Sequence, residues 1–255
     1  MTGGVEIVEL SGLAELNEAS ALLQRVWRAA HPAGVASASL LRTWAHSGNY
    51  VAGAYRDRRL VGVATGFFGP GHLHSYVAGV EPGGEGRGIG YALKSHQRTW
   101  TLQRGVCEVH WTYDPLILRN AAFNLRKLGV VATDYLPEFY GPMTDGINAG
   151  DLSDRLYVRW HLDAPAPAAV DRTGAGVLVD RAGDEPLVAD LVADAAIKTI
   201  AVAVPHDAQA LRDQHPATAL RWRHAVRDAL QSRLAAGWRI TGITRDGYYV
   251  LAQED

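Results

Sequence analysis

Apolar residues recur along the chain with two alternating periods, one helical and one typical of strands. Residues 13–30 place leucine, valine and tryptophan three and four positions apart, which predicts a helix with one buried face. A shorter helix is predicted over 36–48, where a glycine is suited to end it. The other predicted elements are helices over 90–104, 117–129 and 217–237, strands over 5–10, 73–80, 107–114, 177–181 and 198–205, a hairpin turning at 56–59, and a strand pair around the loop 141–153.

Composition shifts once, between residues 163 and 175, where proline, alanine and glycine replace large apolar residues. Such a segment is typical of a linker. We therefore expect a first domain over 1–162, a linker over 163–175, and a small α+β subdomain over 176–255. The last segment includes a terminal hairpin that turns at Asp246-Gly247, and it is short enough that we expect it to pack on the first domain.

The composition of the chain excludes several classes of function. Of its 255 residues, 47% are hydrophobic and 20% are charged, as in an ordinary globular protein, and the net charge of −2 gives no footprint for nucleic acid. One cysteine, Cys107, excludes an intramolecular disulfide and favours the cytoplasm. We expect no signal peptide and no membrane span. His72 and His74 share a strand face, but no acidic or cysteine neighbour supports a metal site, so none is expected.

A glycine-rich stretch, "PGGEGRGIG" over residues 82–90, lies between the predicted strand 73–80 and the predicted helix 90–104. Glycines before a helix let the backbone approach an anion, and the first N–H groups of the helix can then bind it. This order of elements predicts a phosphate-binding loop.

Two common phosphate loops do not fit this stretch. A Walker loop needs glycine directly before Lys-Ser, but Leu93 stands there. A dinucleotide-binding turn needs a small third residue, but either register of the motif places Ile89 or Tyr91 at that position.

The stretch "VEPGGEGRGIGYALK" (residues 80–94) resembles the pyrophosphate loop and first helical turns of the GNAT superfamily of N-acetyltransferases. A second segment, "RNAAFNLRKLGV" (119–130), is similar to another landmark of that family. The order of predicted elements over residues 5–162 also matches, and the tail resembles a bacterial subgroup with a C-terminal extension. The resemblance implies an α/β (α+β) fold: a GNAT-like mixed, mostly antiparallel central sheet flanked by helices, with a small α+β extension.

The resemblance also implies a function, which is transfer of an acyl group, expected to be acetyl, from acyl-CoA to the amine of a small molecule. The amine would attack the thioester directly, with acetyl-CoA or another acyl-CoA as co-substrate. No nucleic acid or membrane partner is expected, and the protein is expected to be a monomer or a homodimer. The residues that the resemblance implies for binding acyl-CoA are Ala78, Gly79, Val80, Glu85, Gly86, Arg87, Gly88, Ile89, Gly90 and Asn120.

The sequence departs from the family pattern at two positions. Glu85 stands where an arginine or glutamine is usual, so its carboxylate either faces the pyrophosphate or turns to solvent. In many relatives, a tyrosine lies four residues before the glycine that ends the helix corresponding to the predicted helix 117–129. In this chain, Leu125 lies four residues before Gly129. Arg87 either binds the pyrophosphate or points to water, and Asn120 either binds the pantetheine arm or caps its helix.

Two polar residues at the end of the predicted strand 107–114 are the candidate catalytic groups. Asp114 could bind the substrate ammonium or act as a base, or it could form a turn before Pro115. Tyr113 could protonate the leaving thiolate, or it could pack in the core.

Two other functions are compatible with the sequence. One is a catalytically silent acyl-CoA-binding or sensing protein, which Glu85 and the missing tyrosine favour. The other is an interaction domain in which Trp222 and Trp238 of the extension bind a protein partner.

Overall fold

The structure is a computed structural model of the chain, and its backbone is described in five segments. They are residues 4–31, 34–84, 88–148, 150–189 and 197–253.

The chain folds into two compact units. The first contains Met1–Trp111 and Thr144–Ile147, and the second contains Thr112–Met143 and Asn148–Asp255. Residues 163–175 contain no helix or strand. The division into two units therefore does not fall at the expected linker, and the three-part division remains a prediction.

The first unit is a mixed sheet with three helices. Its elements are β1 (Glu6–Glu9), α1 (Leu13–Trp27), α2 (Ala38–His46), β2 (Tyr50–Arg56), β3 (Arg59–Gly69), β4 (His72–Val80), α3 (Ile89–Leu102) and β5 (Glu108–Tyr113), whose last two residues belong to the second unit. The strands follow the order β1-β2-β3-β4-β5, and neighbours are antiparallel except β4 and β5, which are parallel. This arrangement confirms the predicted fold class.

Local sequence explains where several of these elements begin and end. The side chain of Ser37 accepts a hydrogen bond from a backbone N–H in the first turn of α2, which starts that helix. Helix α1 ends at Trp27, three residues before its predicted end, because Arg28 takes a left-handed conformation with φ of 49°. The hairpin between β2 and β3 turns at Asp57 and Arg58, both with positive φ, as a tight two-residue hairpin requires.

A β-bulge interrupts β4 at Tyr76. Val77 pairs with Thr65 of β3, and Ser75 pairs with the next residue, Gly66, so Tyr76 has no counterpart. The extra residue changes which face of the sheet the side chains of β4 point to: Ser75 contacts α3, whereas Val77 packs with the buried residues of α1 and α2.

The core of the first unit lies between the sheet and the pair α1 and α2. Helix α3 covers the opposite face, because a Cβ at Gly62 would lie 3.0 Å from Ile89, while the adjacent Val63 belongs to the α1 and α2 side. The core residues on the α1 and α2 side are Leu10, Leu16, Ala19, Leu22, Leu23, Ala36, Leu41, Val51, Leu60, Val63 and Val77.

The second unit contains a strand pair and a five-stranded sheet. Its elements after β5 are α4 (Leu118–Ala121), a π-helical segment (Ala122–Leu128), β6 (Val131–Leu136), β7 (Arg155–His161), β8 (Gly176–Ala182), β9 (Glu185–Val188), β10 (Thr199–Ala203), α5 (Ala208–Gln214), α6 (Pro216–Ala235), β11 (Trp238–Ile243) and β12 (Tyr248–Gln253). Strand β6 pairs antiparallel with β7. The sheet follows the order β11-β12-β10-β8-β9, with β8 and β10 parallel.

The two tryptophans that could have marked a docking surface are buried in the second unit. Trp222 is 1% exposed, and its indole N–H donates to the carbonyl of Asp184 at 2.7 Å. Trp238 is 8% exposed. Their side chains are therefore not on the surface that a partner would meet. Among the described residues, no helix has the length and apolar character needed to cross a membrane.

Candidate functional site

Strands β4 and β5 separate soon after they meet. They pair in parallel at Leu73 with Val109 and at His74 with His110, and no further pairs follow between their described residues. From Ser75 onward β4 therefore presents one unpaired edge, as the resemblance implies for a strand that binds acyl-CoA.

The unpaired edge of β4 carries two outward backbone donors. The N–H of Glu81 donates to Val61 of β3 at 2.9 Å, so by alternation the N–H groups of Val80 and Ala78 point to the opposite, unpaired edge. The N–H of Gly79 points to β3. A Cβ at Gly79 would lie 3.2 Å from side-chain atoms of α1, so helix packing explains this glycine. Of the three β4 residues predicted to bind acyl-CoA, Ala78 and Val80 thus present a backbone N–H at the unpaired edge.

The N-terminus of α3 lies at the Val80 end of the same strand. Helix α3 begins at Ile89, after Gly88, which has φ of 80°. A Cβ at Gly90 would lie 4.0 Å from Val80. The first intrahelical bond runs from Ala92 to Gly88 at 2.9 Å, so the N–H groups of Ile89 and Gly90 precede the hydrogen-bonded turns. Together with the helix dipole, they favour an anion.

Three of the predicted loop residues, Glu85, Gly86 and Arg87, lie outside the described residues. The described side of this loop borders a cavity of about 220 Å³. Asp57 and Glu81 line it, and so do two arginines of the β2–β3 hairpin, Arg56 and Arg59, whose charges equal those of the carboxylates in number. Sequence reasoning treated these arginines only as turn residues, because nothing in the sequence indicates that the hairpin lies beside the loop.

Asn120 lies in α4 of the second unit. The helix begins at Leu118 after Ile117, so Asn120 is its third residue and not its N-cap. The capping alternative is therefore wrong, while a role toward pantetheine stays a prediction. The helix continues as the π-helical segment and ends at Gly129 with φ of 72°, as predicted.

Tyr113 is 5% exposed and packs inside the second unit. Its hydroxyl is 3.3 Å from that of Tyr249, which donates to the carbonyl of Pro115 at 2.8 Å. Burial raises the pKa of Tyr113 above its usual range. These contacts favour the packing alternative and argue against Tyr113 as the acid for a leaving thiolate.

Asp114 lies in a buried network of charged side chains. Arg223 donates to both of its carboxylate oxygens, at 2.8 and 3.0 Å, and Arg212 also donates to it. Its Oδ1 accepts the N–H of Leu116 at 2.9 Å, which is the turn that the sequence predicts. We call the whole set the arginine network: Asp114, Asp151, Asp154, Arg155, Arg212, Arg223 and Arg227.

The arginine network argues against Asp114 as a general base. Burial by itself raises the pKa of a carboxyl group, but the surrounding guanidinium groups, Arg223 foremost, hold the pKa of Asp114 well below its usual range. A base for an ammonium group needs a pKa close to neutral. Because its partners are 98 and 109 residues away along the chain, local sequence could not indicate them.

Lys94 is a buried residue of the first unit that sequence reasoning did not select. It lies in α3 and is 6% exposed. Its Nζ donates to Ser75 Oγ at 2.8 Å and to Gln97 Oε1 at 3.0 Å, and it lies 3.8 Å from the centre of the Trp111 ring. Burial lowers the pKa of Lys94 to about 7. Its position on the buried stripe of the predicted helix, between Leu93 and Gln97, was an available signal.

His72, one of the two histidines considered as metal ligands, contacts another histidine and the backbone. The rings of His72 and His110 stack at 3.9 Å, and His72 Nδ1 is 3.0 Å from the carbonyl of Pro70. Burial, followed by the charges of neighbouring histidines and Lys94, lowers the pKa of His74 to about 4. Within the part of the chain that the structure describes, no three potential ligands are grouped to hold a metal ion.

Solved structures resemble about two thirds of the chain. The ribosomal-protein-S18-alanine N-acetyltransferase from Escherichia coli is 16% identical, with a TM-score of 0.52 over 66% of this chain and 100% of that one. The aminoglycoside 6'-acetyltransferase type Ii is 19% identical, with a TM-score of 0.50 over 64% and 99%. The chain has the fold of the GNAT N-acetyltransferases.

A third structure with the GNAT fold was solved with a bound cofactor. It is yncA from Salmonella typhimurium, assigned as an acetyltransferase and containing acetyl-CoA, with 15% identity and a TM-score of 0.50 over 66% of this chain and 98% of that one. No family model matches the chain, and no curated protein does. The GNAT fold is thus established by structure, while the bacterial subgroup stays a prediction.

Proposed function

We propose that the protein is an acyl-CoA-dependent N-acyltransferase that acts on a small-molecule amine. One observation carries the proposal: the unpaired edge of β4 leads directly to the N-terminus of α3. An acyl-CoA molecule lying along this edge would meet the N–H groups of Ala78 and Val80, and then those of Ile89 and Gly90. In other GNAT folds, the structure named as containing acetyl-CoA and the aminoglycoside acetyltransferase support the donor and acceptor classes.

The residues present fit an acyl-CoA molecule. Gly88 has positive φ, and a Cβ built there meets no described atom within 4 Å, so a ligand can approach the backbone at that point. When bound, acyl-CoA supplies an activated thioester whose acyl group passes to an amine as the carbon–sulfur bond breaks. One of the outward N–H groups of this edge, from Ala78 or Val80, would donate to the thioester oxygen and stabilise the negative charge that develops there. The N-terminus of α3 would hold the pyrophosphate.

Neither Tyr113 nor Asp114 is assigned the role of acid or base, because both are buried and bonded to other side chains. This observation favours a second candidate function, a protein that binds acyl-CoA without transferring the acyl group. The two functions differ in whether free CoA thiol is released when an amine is supplied.

Calorimetric titration of the wild type with acetyl-CoA tests the shared step, and thiol release with a panel of amines tests transfer. Gly88→Glu is expected to weaken binding at least about fivefold, since like charges at close range cost about 1–4 kcal/mol. Gly105→Glu is the matched control, because Gly105 has similar positive φ and lies beyond the other end of α3. Absence of binding to any acyl-CoA would refute the proposal, and binding without thiol release would leave the silent alternative.

A further inference from the structure

The chain contains three lysines, and Lys94 is the buried one among them. The residues around its ammonium group are neutral: Ser75, Gln97 and the Trp111 ring. Among the described residues, no carboxylate lies within ion-pair distance of Lys94. A buried ammonium group that lacks an anion is costly, because hydration is lost and no opposite charge replaces it.

A second buried donor beside Lys94 also lacks an acceptor. Gln97 is fully buried, and its Nε2 has no hydrogen-bond partner among the residues that the structure describes. Its Oε1 is already taken by Lys94, which fixes the orientation of the amide and leaves its N–H groups unsatisfied. Buried polar groups of this kind are rare in folded proteins, and each indicates a missing partner. An ammonium group and an amide N–H that lie side by side form their strongest hydrogen bonds with a negatively charged acceptor.

The position of this pair relative to β4 suggests which ligand carries the acceptor. Ser75 and Trp111 are the first residues after the last pair between β4 and β5, so Lys94 lies where the two strands separate. Val80, at the other end of the exposed edge, adjoins the N-terminus of α3. Val80 is five residues beyond Ser75 along the strand, which corresponds to roughly 16 Å. A donor with its pyrophosphate at α3 therefore directs its acyl end toward Lys94.

We propose that Lys94, with Ser75 and Gln97, binds the terminal carboxylate of a dicarboxylic acyl-CoA. This inference rests on the proposed function and names its donor class: the acyl group carries an acid instead of being a plain acetyl group. The carboxylate supplies the negative charge that Lys94 lacks and the acceptor that Gln97 lacks. The Trp111 ring stabilises the cation but cannot neutralise it.

Titration calorimetry with succinyl-CoA and butyryl-CoA tests the proposal, because the two acyl groups have the same number of carbons and differ in the carboxylate. The wild type is expected to bind succinyl-CoA at least tenfold more tightly. Binding should also take up about half a proton at pH 7, measured in two buffers of different ionisation enthalpy, because the lysine is about half protonated there and an anion raises its pKa. His74, the neighbouring titratable group, has a pKa near 4 and does not contribute at this pH.

Lys94→Met keeps an unbranched side chain, one atom shorter, and removes its charge, so the preference for succinyl-CoA should disappear while butyryl-CoA still binds. Lys198→Met, at an exposed lysine, is the control and should retain the preference. Equal affinity of the wild type for both donors would overturn the proposal and leave the proposed function standing. A preference that persists in folded Lys94→Met would also overturn it. Failure of the wild type to bind any acyl-CoA would instead refute the proposed function.

Discussion

Replacing Asp114 with asparagine removes one carboxylate from the arginine network while keeping a side chain of the same shape. The variant retains an oxygen that can accept the N–H of Leu116. It loses the charge that Arg223 and Arg212 contact, and because the network holds four guanidinium groups against three carboxylates, its excess of positive charge increases. Removing one partner of a buried ion pair typically costs about 3–5 kcal/mol, so we expect a loss of that size in the free energy of unfolding.

Urea unfolding followed by tryptophan fluorescence measures this loss. The folded pKa of Asp114 is depressed, so the stability it contributes is present above the unfolded value and is lost as the pH falls through the folded value. The difference between wild type and Asp114→Asn should therefore be constant from about pH 5 to 8 and shrink below about pH 4. Asp163→Asn, at an exposed aspartate of the same unit, should change stability by less than about 0.5 kcal/mol. A loss below about 1 kcal/mol for Asp114→Asn, with acyl transfer abolished, would contradict this reasoning and restore Asp114 as a catalytic candidate.

Two further variants test other features of the fold. Lys94→Met should raise the free energy of unfolding at pH 7, and this gain over the wild type should be smaller at pH 10 by on the order of 3 kcal/mol. The reason is that the unfolded lysine stays charged up to a pKa near 10.4, while the folded one loses its proton near pH 7. Urea titrations at the two pH values measure the gain, and an equal gain at both would contradict the prediction. Gly129→Ala should cost more than the roughly 1–2 kcal/mol expected from positive φ alone, since its Cβ would lie 3.0 Å from Pro167, whereas Gly183→Ala, with similar φ and no described atom within 4 Å, isolates the backbone term. Equal losses of melting temperature in the two alanine variants would show that the contact with Pro167 is unimportant.

The regular elements of the fold were largely predictable because their signals are local. Several elements appear within a few residues of where the sequence indicates. They are the periodic helices, the hairpin at Asp57-Arg58 and the end at Gly129 of the predicted helix 117–129. Strand β9 and helix α5 were missed. Strand β9 is four residues long and contains Pro186, and α5 is seven residues long, so neither offers enough sequence to show a period.

The candidate site was less predictable because its contacts join distant residues. The glycine loop indicated the N-terminus of α3 correctly, and the resemblance indicated the unpaired edge of β4. The partners of Asp114 could not be found, since an aspartate before proline is also a common turn. Lys94 was overlooked because its neighbours Ser75 and Trp111 come from two other elements.

The bulge at Tyr76 makes the length of β4 as important as its composition. A strand of the same length without the bulge would send Ser75 and Val77 to the same side, which would turn the hydroxyl away from Lys94 or pull an apolar side chain out of the core. Substitutions at these positions alter one contact at a time, whereas an insertion or deletion of one residue elsewhere in the strand would reverse the facing of every side chain on one side of the break. Apart from the loss of Tyr76 itself, which leaves the pairing of Ser75 and Val77 unchanged, the segment from Leu73 to Val80 should therefore tolerate amino-acid exchange far better than a change in length.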